Sequence, residues 1–402
     1  MTESKKRYKL AIVISHVIQY AVPLYKKIGG HRDIELTVFF CSTQGLIPIH
    51  LDTGFGLRFS WDGLSLEGFN YKFLKNYSFL FKTDSLFGII NFGIIHELRK
   101  NKYDAVIIPG YAKATYLLAI LTCILTKTPF IISGEPPTPW RPRLRKALMG
   151  FIKRLILPKI LSFAAGIFYI GKKSKEFYFW YKKDIMEKLY FYPFCVDNEY
   201  YFKYYEKYRP RKEQLKKELG IPGDYPVILF LSKIIYWKRP FLLLQAYEGL
   251  NAKTALVYVG SGERLDFLKK YTEQKKLKNV YFFGFQNYTQ VPKFYSIADI
   301  FVLPSLGESW GLVINEAMCF GLPIICSDQV NSCWDLVRPG ENGFIFKKND
   351  IESLRGYLQY LLEHPEERLR MGENSRRIVS GWNYDLDVRA CVDCLGKLKK
   401  DS

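Results

Sequence analysis

The sequence lacks any apolar run long enough to cross a membrane. Its longest nearly apolar stretch, Ala114 to Thr126, is well short of the roughly 18–20 residues that a spanning helix needs. The amino-terminal segment MTESKKRYKL is polar, and the apolar run AIVIS behind it is too short for a secretory signal. We therefore expect a soluble or peripheral protein that stays in the cytoplasm.

Cysteine pairs with the spacing of a structural zinc site are also missing. The eight cysteines are scattered, and Cys391 and Cys394 form a single CxxC on a segment with a helical pattern. A zinc ribbon needs two such pairs, so this class is excluded. Cysteines such as Cys123, within an apolar helix, are expected to be buried free thiols, as in a reducing compartment.

Acidic residues are absent between Glu135 and Glu176, a span that contains ten Lys and Arg residues of a chain with net charge +20. We call Arg141–Lys175 the basic stretch. Its predicted helix has one apolar face, with Trp140 at its start, formed by Leu144, Leu148, Phe151 and Leu155. This pattern is typical of a helix on an anionic membrane surface. The alternative is a helix that packs its apolar face on a sheet, and both can hold. No motif that reads DNA or RNA is present, so we expect no nucleic acid partner.

Short apolar runs alternate with helical segments along the whole chain. Six runs in the first half, from residues 9–15 to residues 188–197, and five in the second half, from 227–233 to 322–328, have the composition of buried strands. This alternation predicts an α/β protein with parallel, doubly wound sheets. Residues 201–226 are polar and charged and contain three prolines. We therefore predict two Rossmann-like domains, residues 1–199 and 200–382.

The most informative stretch is Pro304–Gly321, PSLGESWGLVINEAMCFG, where a buried strand leads through a loop into a helix. Such a helix start is a ready anion site, because its first amide groups have no internal partner. Glu308 and Glu316 lie eight positions apart in this stretch. An anion would repel them, so functional carboxylates here should contact hydroxyl groups beside the anion. The alternative is that Glu308 caps the helix and Glu316 is a solvated surface charge.

The spacing of these glutamates resembles the Glu-x7-Glu signature of retaining family-four glycosyltransferases. YSIADIFVLPS precedes it and GLPIICSD…WDLVRPGENGFIF follows, so the resemblance extends over about Val227 to Phe346. SHVIQYAVPLYKKI, GFGLRFSWDGLSLEGFNYKFL and FCVDNEYY resemble a subgroup from surface-polysaccharide pathways. The resemblance implies the GT-B fold, two Rossmann-like domains facing each other across a cleft. It also implies that a helix at about residues 383–402 packs back on the first domain.

The resemblance assigns catalytic roles to three residues of the second domain. Lys233 and Lys238 are implied to neutralise the nucleotide diphosphate and the charge that builds on it as the glycosidic bond breaks. Glu308 is implied to contact hydroxyls of the transferred sugar. Arginine is usual near position 233 in the family, and lysine lacks its bidentate fork. The diphosphate is therefore held less rigidly here, or Arg239 assists.

Donor binding is implied for several further groups. Glu316 is implied to accept hydrogen bonds from the ribose hydroxyls. The distal phosphate is implied to meet the backbone amides of Trp310, Gly311 and Leu312. The base pocket is implied to lie at the strand end marked by Phe283 and Phe285.

Gly260 follows a strand in the sequence Gly-Ser-Gly, but the third glycine of a dinucleotide fingerprint is replaced by Leu265. Gly260 is therefore either a ligand contact or part of a tight strand-to-helix turn. In the first domain, relatives usually have a Gly-Gly loop where this chain has Ser15–Tyr20. His16 is a candidate to reach the donor phosphate or the acceptor hydroxyl, with a structural loop histidine as the alternative. Relatives often carry a histidine after the strand at residues 129–135, and here Glu135 is a candidate to orient the acceptor or to support the sugar.

Four aspartates have weaker claims. Asp52 and Asp62 could contact a sugar acceptor, but surface loops are rich in aspartate, and we do not assign them a role. Asp385 and Asp387 spell the DxD motif of a different transferase fold. Both begin a predicted helix, where acidic residues complement the helix dipole, so we expect no metal site there.

The function implied is a retaining, metal-independent glycosyltransferase without a cofactor, using a nucleoside-diphosphate sugar as co-substrate. The acceptor is expected to be a hydroxyl of a lipid-linked or polysaccharide molecule at the inner membrane face, which the protein would approach through the basic stretch. Two alternatives stay open. One is a nucleotide-sugar epimerase of the same fold, and the other is a non-catalytic binder of membranes or polyanions.

Overall fold

The computed structural model describes residues 7–48, 51–52, 54–79, 85–134, 143–251 and 253–400; for residues 51, 143–152 and 400 it describes the backbone. Glu135 and Arg141 lie outside the described residues. Within these ranges the chain forms two parallel sheets with helices on both faces. None of the described helices is long and apolar enough to cross a membrane.

The first sheet has seven parallel strands in the order β5-β2-β1-β6-β7-β8-β9, and β3 and β4 form a separate antiparallel ribbon. The strands are β1 Tyr8–Ile14, β2 Ile34–Phe40, β3 Leu51–Asp52, β4 Leu57–Arg58, β5 Asn70–Phe73, β6 Ala105–Pro109, β7 Phe130–Ser133, β8 Gly166–Tyr169 and β9 Leu189–Phe191. Alternate residues of β1 enter two cores: Leu10 and Ile12 face one side of the sheet, and Ala11 and Val13 face the other. This is the two-residue period of a strand buried on both faces.

Five helices belong to this part of the chain: α1 Ala21–Gly29, α2 Gly93–Lys100, α3 Ala114–Thr126, α4 Arg143–Phe163 and α5 Lys172–Tyr181. Helices α2 to α5 pack on one face of the sheet, and α1 packs on the other. In α4 the buried side chains include Leu157 and Leu161, whereas Leu155 is 55% exposed. Leu155 therefore does not pack on the sheet, and the prediction that the apolar face packs there is wrong at this residue. The other three residues of that face lie where only the backbone is described.

The second sheet has six parallel strands in the order β12-β11-β10-β13-β14-β15. They are β10 Val227–Leu231, β11 Ala255–Val259, β12 Val280–Phe282, β13 Ile300–Leu303, β14 Ile324–Ser327 and β15 Gly343–Phe346. The helices around it are α6 Asn198–Tyr208, α7 Lys212–Glu218, α8 Pro240–Glu248, α9 Leu265–Gln274, α10 Val291–Ile297, α11 Val313–Cys319, α12 Cys333–Leu336, α13 Ile351–Glu363 and α14 Pro365–Ser380.

The last helix, α15 Tyr384–Lys400, returns to the first sheet. Its residues Val388, Cys391 and Leu395 are buried in the same core as α1. The Tyr384 hydroxyl donates a hydrogen bond to the carbonyl of Tyr20, 2.6 Å away. All eight cysteines are buried and free, which confirms the prediction of buried free thiols.

Three features of the sheets were not predicted. The strand β5 lies at the edge of the first sheet and exposes most of its side chains, so it lacks the apolar run on which the prediction depended. The β3–β4 ribbon has two residues in each strand. The strand β15 is a sixth strand where the second half was predicted to have five, and two of its four residues are only partly buried.

Candidate functional site

A pocket of about 390 Å³ lies between the two sheets and is lined by both domains. In the second sheet, β10 and β13 are neighbours from which the strand order runs in opposite directions. Open α/β sheets bind ligands at such switch points, beyond the carboxyl ends of the strands. Lys233 and Lys238 follow β10, and Glu308 and Glu316 follow β13, and all four line the pocket. From the first sheet, Gln19 and Tyr20 follow β1 at its own switch point.

Lys233 is paired with a carboxylate from the opposite domain. Its Nζ lies 2.8 Å from Asp52 Oδ1 and 3.0 Å from Asp52 Oδ2. The same ammonium lies over the ring of Phe55, 4.7 Å from its centroid. The ammonium group of Lys233, which is predicted to bind the diphosphate, is therefore already paired with the carboxylate of Asp52 from the first domain.

Lys238 ends a short 3-10 helix, Tyr236–Lys238, and pairs with the carboxylate of Glu308. Ser305 Oγ donates a second hydrogen bond to Glu308 Oε1 at 2.7 Å. Helix α11 has no side-chain cap, so the alternative that Glu308 caps it is wrong. The contacts instead hold Glu308 and Lys238 together as a half-buried pair on the pocket wall.

Glu316 lies in α11 and is 7% exposed, so the alternative of a solvated surface charge is also wrong. The Tyr295 hydroxyl donates a hydrogen bond to Glu316 Oε2 at 2.7 Å. Burial raises the pKa of Glu316 to about 7, against the opposing effect of the Tyr295 and Tyr201 hydroxyls. Within the described part of the chain no cation acts on this buried carboxyl. It is poised to accept hydrogen bonds from ligand hydroxyl groups, which would favour its ionised form.

The loop before α11 is fixed by packing. The Trp310 side chain is buried, stacks on Trp382 at 5.7 Å and donates from Nε1 to Asn315 Oδ1 at 3.1 Å. Gly311 has φ +100, a conformation that side chains disfavour. This turn brings the backbone of Trp310, Gly311 and Leu312 to the pocket, where their amides were predicted to meet a phosphate.

In the predicted base pocket, Phe285 lines the cavity, whereas Phe283 is not among its lining residues. The Phe283 ring packs on Phe294 at 5.1 Å. Gly260 lines the pocket, but its amide donates to the carbonyl of Gly284 at 2.7 Å. A Cβ on Gly260 would lie 2.0 Å from the carbonyl oxygen of Ser232. The close turn is therefore a sufficient reason for glycine at this position.

The first-domain candidates are less central. His16 Nδ1 lies 2.9 Å from Ser15 Oγ, and the pocket is lined by the next residues, Ile18 to Tyr20, rather than by His16 itself. Glu135 lies outside the described residues, so its candidate role stays a prediction.

The DxD residues lie in different surroundings. Asp385 is exposed and pairs with Lys27 at 2.9 Å, whereas Asp387 is fully buried and burial raises its pKa well above the usual range. Among the described residues, no group of three or more His, Cys, Asp or Glu side chains is arranged to hold a metal ion.

Sequence reasoning assigns no role to three pocket residues that lie between β2 and β5, namely Asp52, Phe55 and Trp61. Asp52 was considered for an acceptor, but its partner is Lys233. The available signal was the density of aromatic residues in GFGLRFSW, which is unusual for a loop exposed to solvent.

Two doubly wound domains with a pocket at both switch points define the GT-B class of glycosyltransferase folds, and this fold prediction is confirmed. Residues 211–378 match the family described as "Glycosyl transferases group 1". The matched residues lie within the second domain, which is therefore similar to this glycosyltransferase family.

Curated relatives match a little under half of the chain. The UDP-Gal:alpha-D-GlcNAc-diphosphoundecaprenol alpha-1,3-galactosyltransferase of Escherichia coli is 31% identical over 192 residues, which cover 44% of this chain and 48% of that protein. The alpha-monoglucosyldiacylglycerol synthase of Acholeplasma laidlawii is 28% identical over 184 residues, 44% of this chain and 45% of that protein. The chain matches less than half the length of these curated relatives.

Solved structures match over nearly the whole chain. A glycosyltransferase from Rickettsia africae superposes with a TM-score of 0.75 at 18% identity, covering 98% of this chain and 100% of that one. Anabaena HepE, in complex with UDP and glucose, superposes with a TM-score of 0.67 at 15% identity, covering 98% and 99%. At these identities the likeness shows the fold.

Proposed function

We propose that the protein is a retaining, metal-independent glycosyltransferase. It would move a sugar from a nucleoside-diphosphate sugar to a hydroxyl of a lipid-linked or polysaccharide acceptor. The observation that carries the proposal is the convergence of Lys233, Lys238, Glu308 and Glu316 on one interdomain pocket at a switch point. The UDP and glucose bound to Anabaena HepE and the lipid-linked substrate named for the Escherichia coli relative support this substrate class.

The pocket has the charges that the proposed reaction needs. Lys233 and Lys238 lie close to each other along the chain and would face the diphosphate, where negative charge develops as the glycosidic bond breaks. Glu308, held by Lys238 and Ser305, would contact hydroxyls of the sugar. Glu316 would accept hydrogen bonds from the ribose. The departing diphosphate would itself accept the proton of the attacking hydroxyl, so no side chain is required as a general base.

A panel of UDP, GDP, ADP and their sugars tests the donor site by thermal shift. We expect one diphosphate to raise the melting temperature, because ligand that binds only the folded state stabilises it by mass action. The shift is expected to be unchanged by a chelator. A shift that requires added divalent metal would contradict the metal-independent mechanism, and no shift with any nucleotide would contradict the donor site.

Two assays then separate the remaining possibilities. Incubation of the accepted nucleotide sugar without an acceptor would yield an epimeric nucleotide sugar if the protein were an epimerase. The anomeric configuration of the transferred sugar, measured by NMR, would be inverted if the retaining mechanism were wrong.

The acceptor side of the proposal includes contact with an anionic membrane. The described part of the basic stretch exposes Arg154 and Lys159 on α4 beside exposed Leu155 and Ile156. On α3, which packs on the same sheet face, an apolar stripe with a four-residue spacing is also exposed: Leu117, Leu121 and Leu125. Cationic side chains beside exposed apolar side chains are typical of a surface that binds anionic lipid. This would place the protein at the inner membrane face.

Vesicle flotation tests this surface. We expect the protein to float with anionic vesicles and to stay in solution with neutral ones, and salt should weaken the binding because it screens the charges. Arg154→Gln with Lys159→Gln should weaken flotation, whereas Lys269→Gln with Lys270→Gln, an exposed pair on α9, should not. Equal flotation with neutral and anionic vesicles would contradict the electrostatic contact.

A further inference from the structure

A segment of the first domain reaches across the pocket, and both of its ends contact the second domain. We call Asp52 and residues 54–62 the strap, and the structure describes all of them. One end of the strap contacts Lys233 in the pocket. The other contacts the segment before α10 outside the pocket. The strap therefore spans the opening between the two domains.

The outer end is held by neutral donors. Asp62 Oδ1 accepts a hydrogen bond from the Thr289 amide at 3.0 Å, and Asp62 Oδ2 accepts one from the Thr289 hydroxyl at 2.5 Å. Asn287 Nδ2 donates to the carbonyl of Ser60 at 2.8 Å. None of these residues lines the pocket, so this contact fixes the strap without occupying the candidate site.

The inner end of the strap is held by the ammonium group of Lys233. Both carboxylate oxygens of Asp52 lie within 3.0 Å of Lys233 Nζ. The amides of Gly54 and Phe55 donate to Asp52 Oδ1 at 2.8 and 2.9 Å. Partial burial tends to raise the pKa of Asp52, but Lys233 and these amides outweigh it and the pKa is lowered overall. Asp52 is therefore an anion at neutral pH, seated on the cation that the proposed function assigns to the diphosphate.

Aromatic side chains of the strap also pack against Phe285, which lines the pocket. The Phe55 and Phe59 rings lie 4.9 and 4.7 Å from the Phe285 ring, and the Phe59 and Trp61 rings are 4.7 Å apart. Phe285 belongs to the predicted base pocket. The strap thus covers both the phosphate side and the base side of the site.

We propose that the strap is a gate and that the carboxylate of Asp52 competes with the donor's diphosphate for the ammonium group of Lys233. This inference rests on the proposed function. A carboxylate and a diphosphate at the same ammonium repel each other strongly in a half-buried site. The diphosphate carries more charge and more acceptor oxygens, so it displaces Asp52 and frees the inner end of the strap. The outer contact at Thr289 keeps the strap attached while the pocket opens.

Binding of UDP, GDP, ADP and inorganic pyrophosphate, measured by calorimetry, tests the gate. Asp52→Asn keeps the shape of the side chain and removes its charge. We expect this variant to bind pyrophosphate and the accepted nucleoside diphosphate roughly five- to tenfold more tightly, the scale of one partly buried charged hydrogen bond. Asp62→Asn removes the same charge from the same strap but leaves an acceptor for the Thr289 amide. Its affinity should stay within about twofold of the unmodified protein.

Hydrogen exchange of the strap amides gives a second readout. In the unmodified protein, exchange at residues 54–62 should rise when diphosphate binds, and in Asp52→Asn it should be high without ligand. Unchanged exchange elsewhere in the chain would show that the variant is folded. A strap whose exchange falls on binding would overturn the gate.

The affinities separate the failure of the gate from the failure of the proposed function. Weaker or unchanged binding by Asp52→Asn would show that Asp52 helps to hold the donor or is neutral to it, and would overturn the gate alone. An equal gain in affinity in both variants would also overturn the gate. The gain would then come from the lower negative charge of the strap and not from the loss of the Asp52–Lys233 pair. If neither the unmodified protein nor either variant binds any probe, the donor site itself is refuted.

Discussion

Lys238→Ala is expected to lower kcat by about 100-fold or more, the scale seen when one preorganised charge or donor facing a transition state is removed. Two effects act in the same direction. The variant loses a cation that would stabilise the leaving diphosphate. It also leaves the carboxylate of Glu308 in the pocket without its partner, and that uncompensated charge would repel the diphosphate.

Three further variants separate these two effects. Lys238→Arg keeps the charge and should retain much of the activity. Lys238→Ala combined with Glu308→Gln, compared with Glu308→Gln alone, shows the effect of losing the cation, because neither of these variants has the uncompensated carboxylate. Lys270→Ala, an exposed lysine on α9, should leave kcat unchanged. A Lys238→Ala enzyme within about threefold of the unmodified rate would contradict the role of this cation in leaving-group stabilisation.

The site residues of the second domain could be predicted from the sequence because each of them follows shortly after a recognisable buried strand. A buried strand that ends in a loop and starts a helix determines where that loop lies, at the carboxyl end of a parallel sheet. The apolar runs at β10 and β13 are unambiguous, so Lys233, Lys238, Glu308 and Glu316 could all be placed near one edge. Their exact partners could not be predicted, since Lys238 and Glu308 are seventy positions apart.

The first-domain half was not predictable in the same way. Asp52 pairs with Lys233 and Asp62 bonds to Thr289, and each pair is separated by most of the first domain and the start of the second. No periodicity indicates such a contact, and a loop aspartate has the same local pattern whether it meets water or a cation. Leu155 shows a related limit. Helical spacing grouped it with an apolar face, but the sheet is covered by residues on another side of α4.

Glu316→Gln is expected to lower kcat/KM for the donor by about 100-fold, mainly through KM. The ionised carboxylate would accept two ribose hydroxyls, and hydrogen bonds to a charged group contribute about 1.5–3 kcal/mol each. Glutamine has the same size but offers one neutral acceptor. The effect on KM distinguishes Glu316 from Lys238, whose loss is expected to lower kcat. Unchanged donor KM in the glutamine variant would contradict a ribose contact.

The same substitution is expected to change how stability depends on pH. The pKa of Glu316 is raised from 4.5 to about 7 in the folded protein, so between these values the folded state holds a proton that the unfolded state has lost. Stability contributed by this group therefore falls as pH rises from about 4.5 to 7 and is constant above that. At 1.36 kcal/mol for each pKa unit, the loss is about 3 kcal/mol.

Thermal unfolding across this pH range measures the effect without any substrate. Glu316→Gln does not titrate, so its melting temperature relative to the unmodified protein should rise by several degrees between pH 5 and pH 8. Glu273→Gln, an exposed change in the same domain, controls for the loss of a carboxylate. A difference that is independent of pH would show that Glu316 is ionised throughout. Added nucleotide should reduce the difference above pH 7, because ribose hydroxyls that donate to the carboxylate favour its charged form.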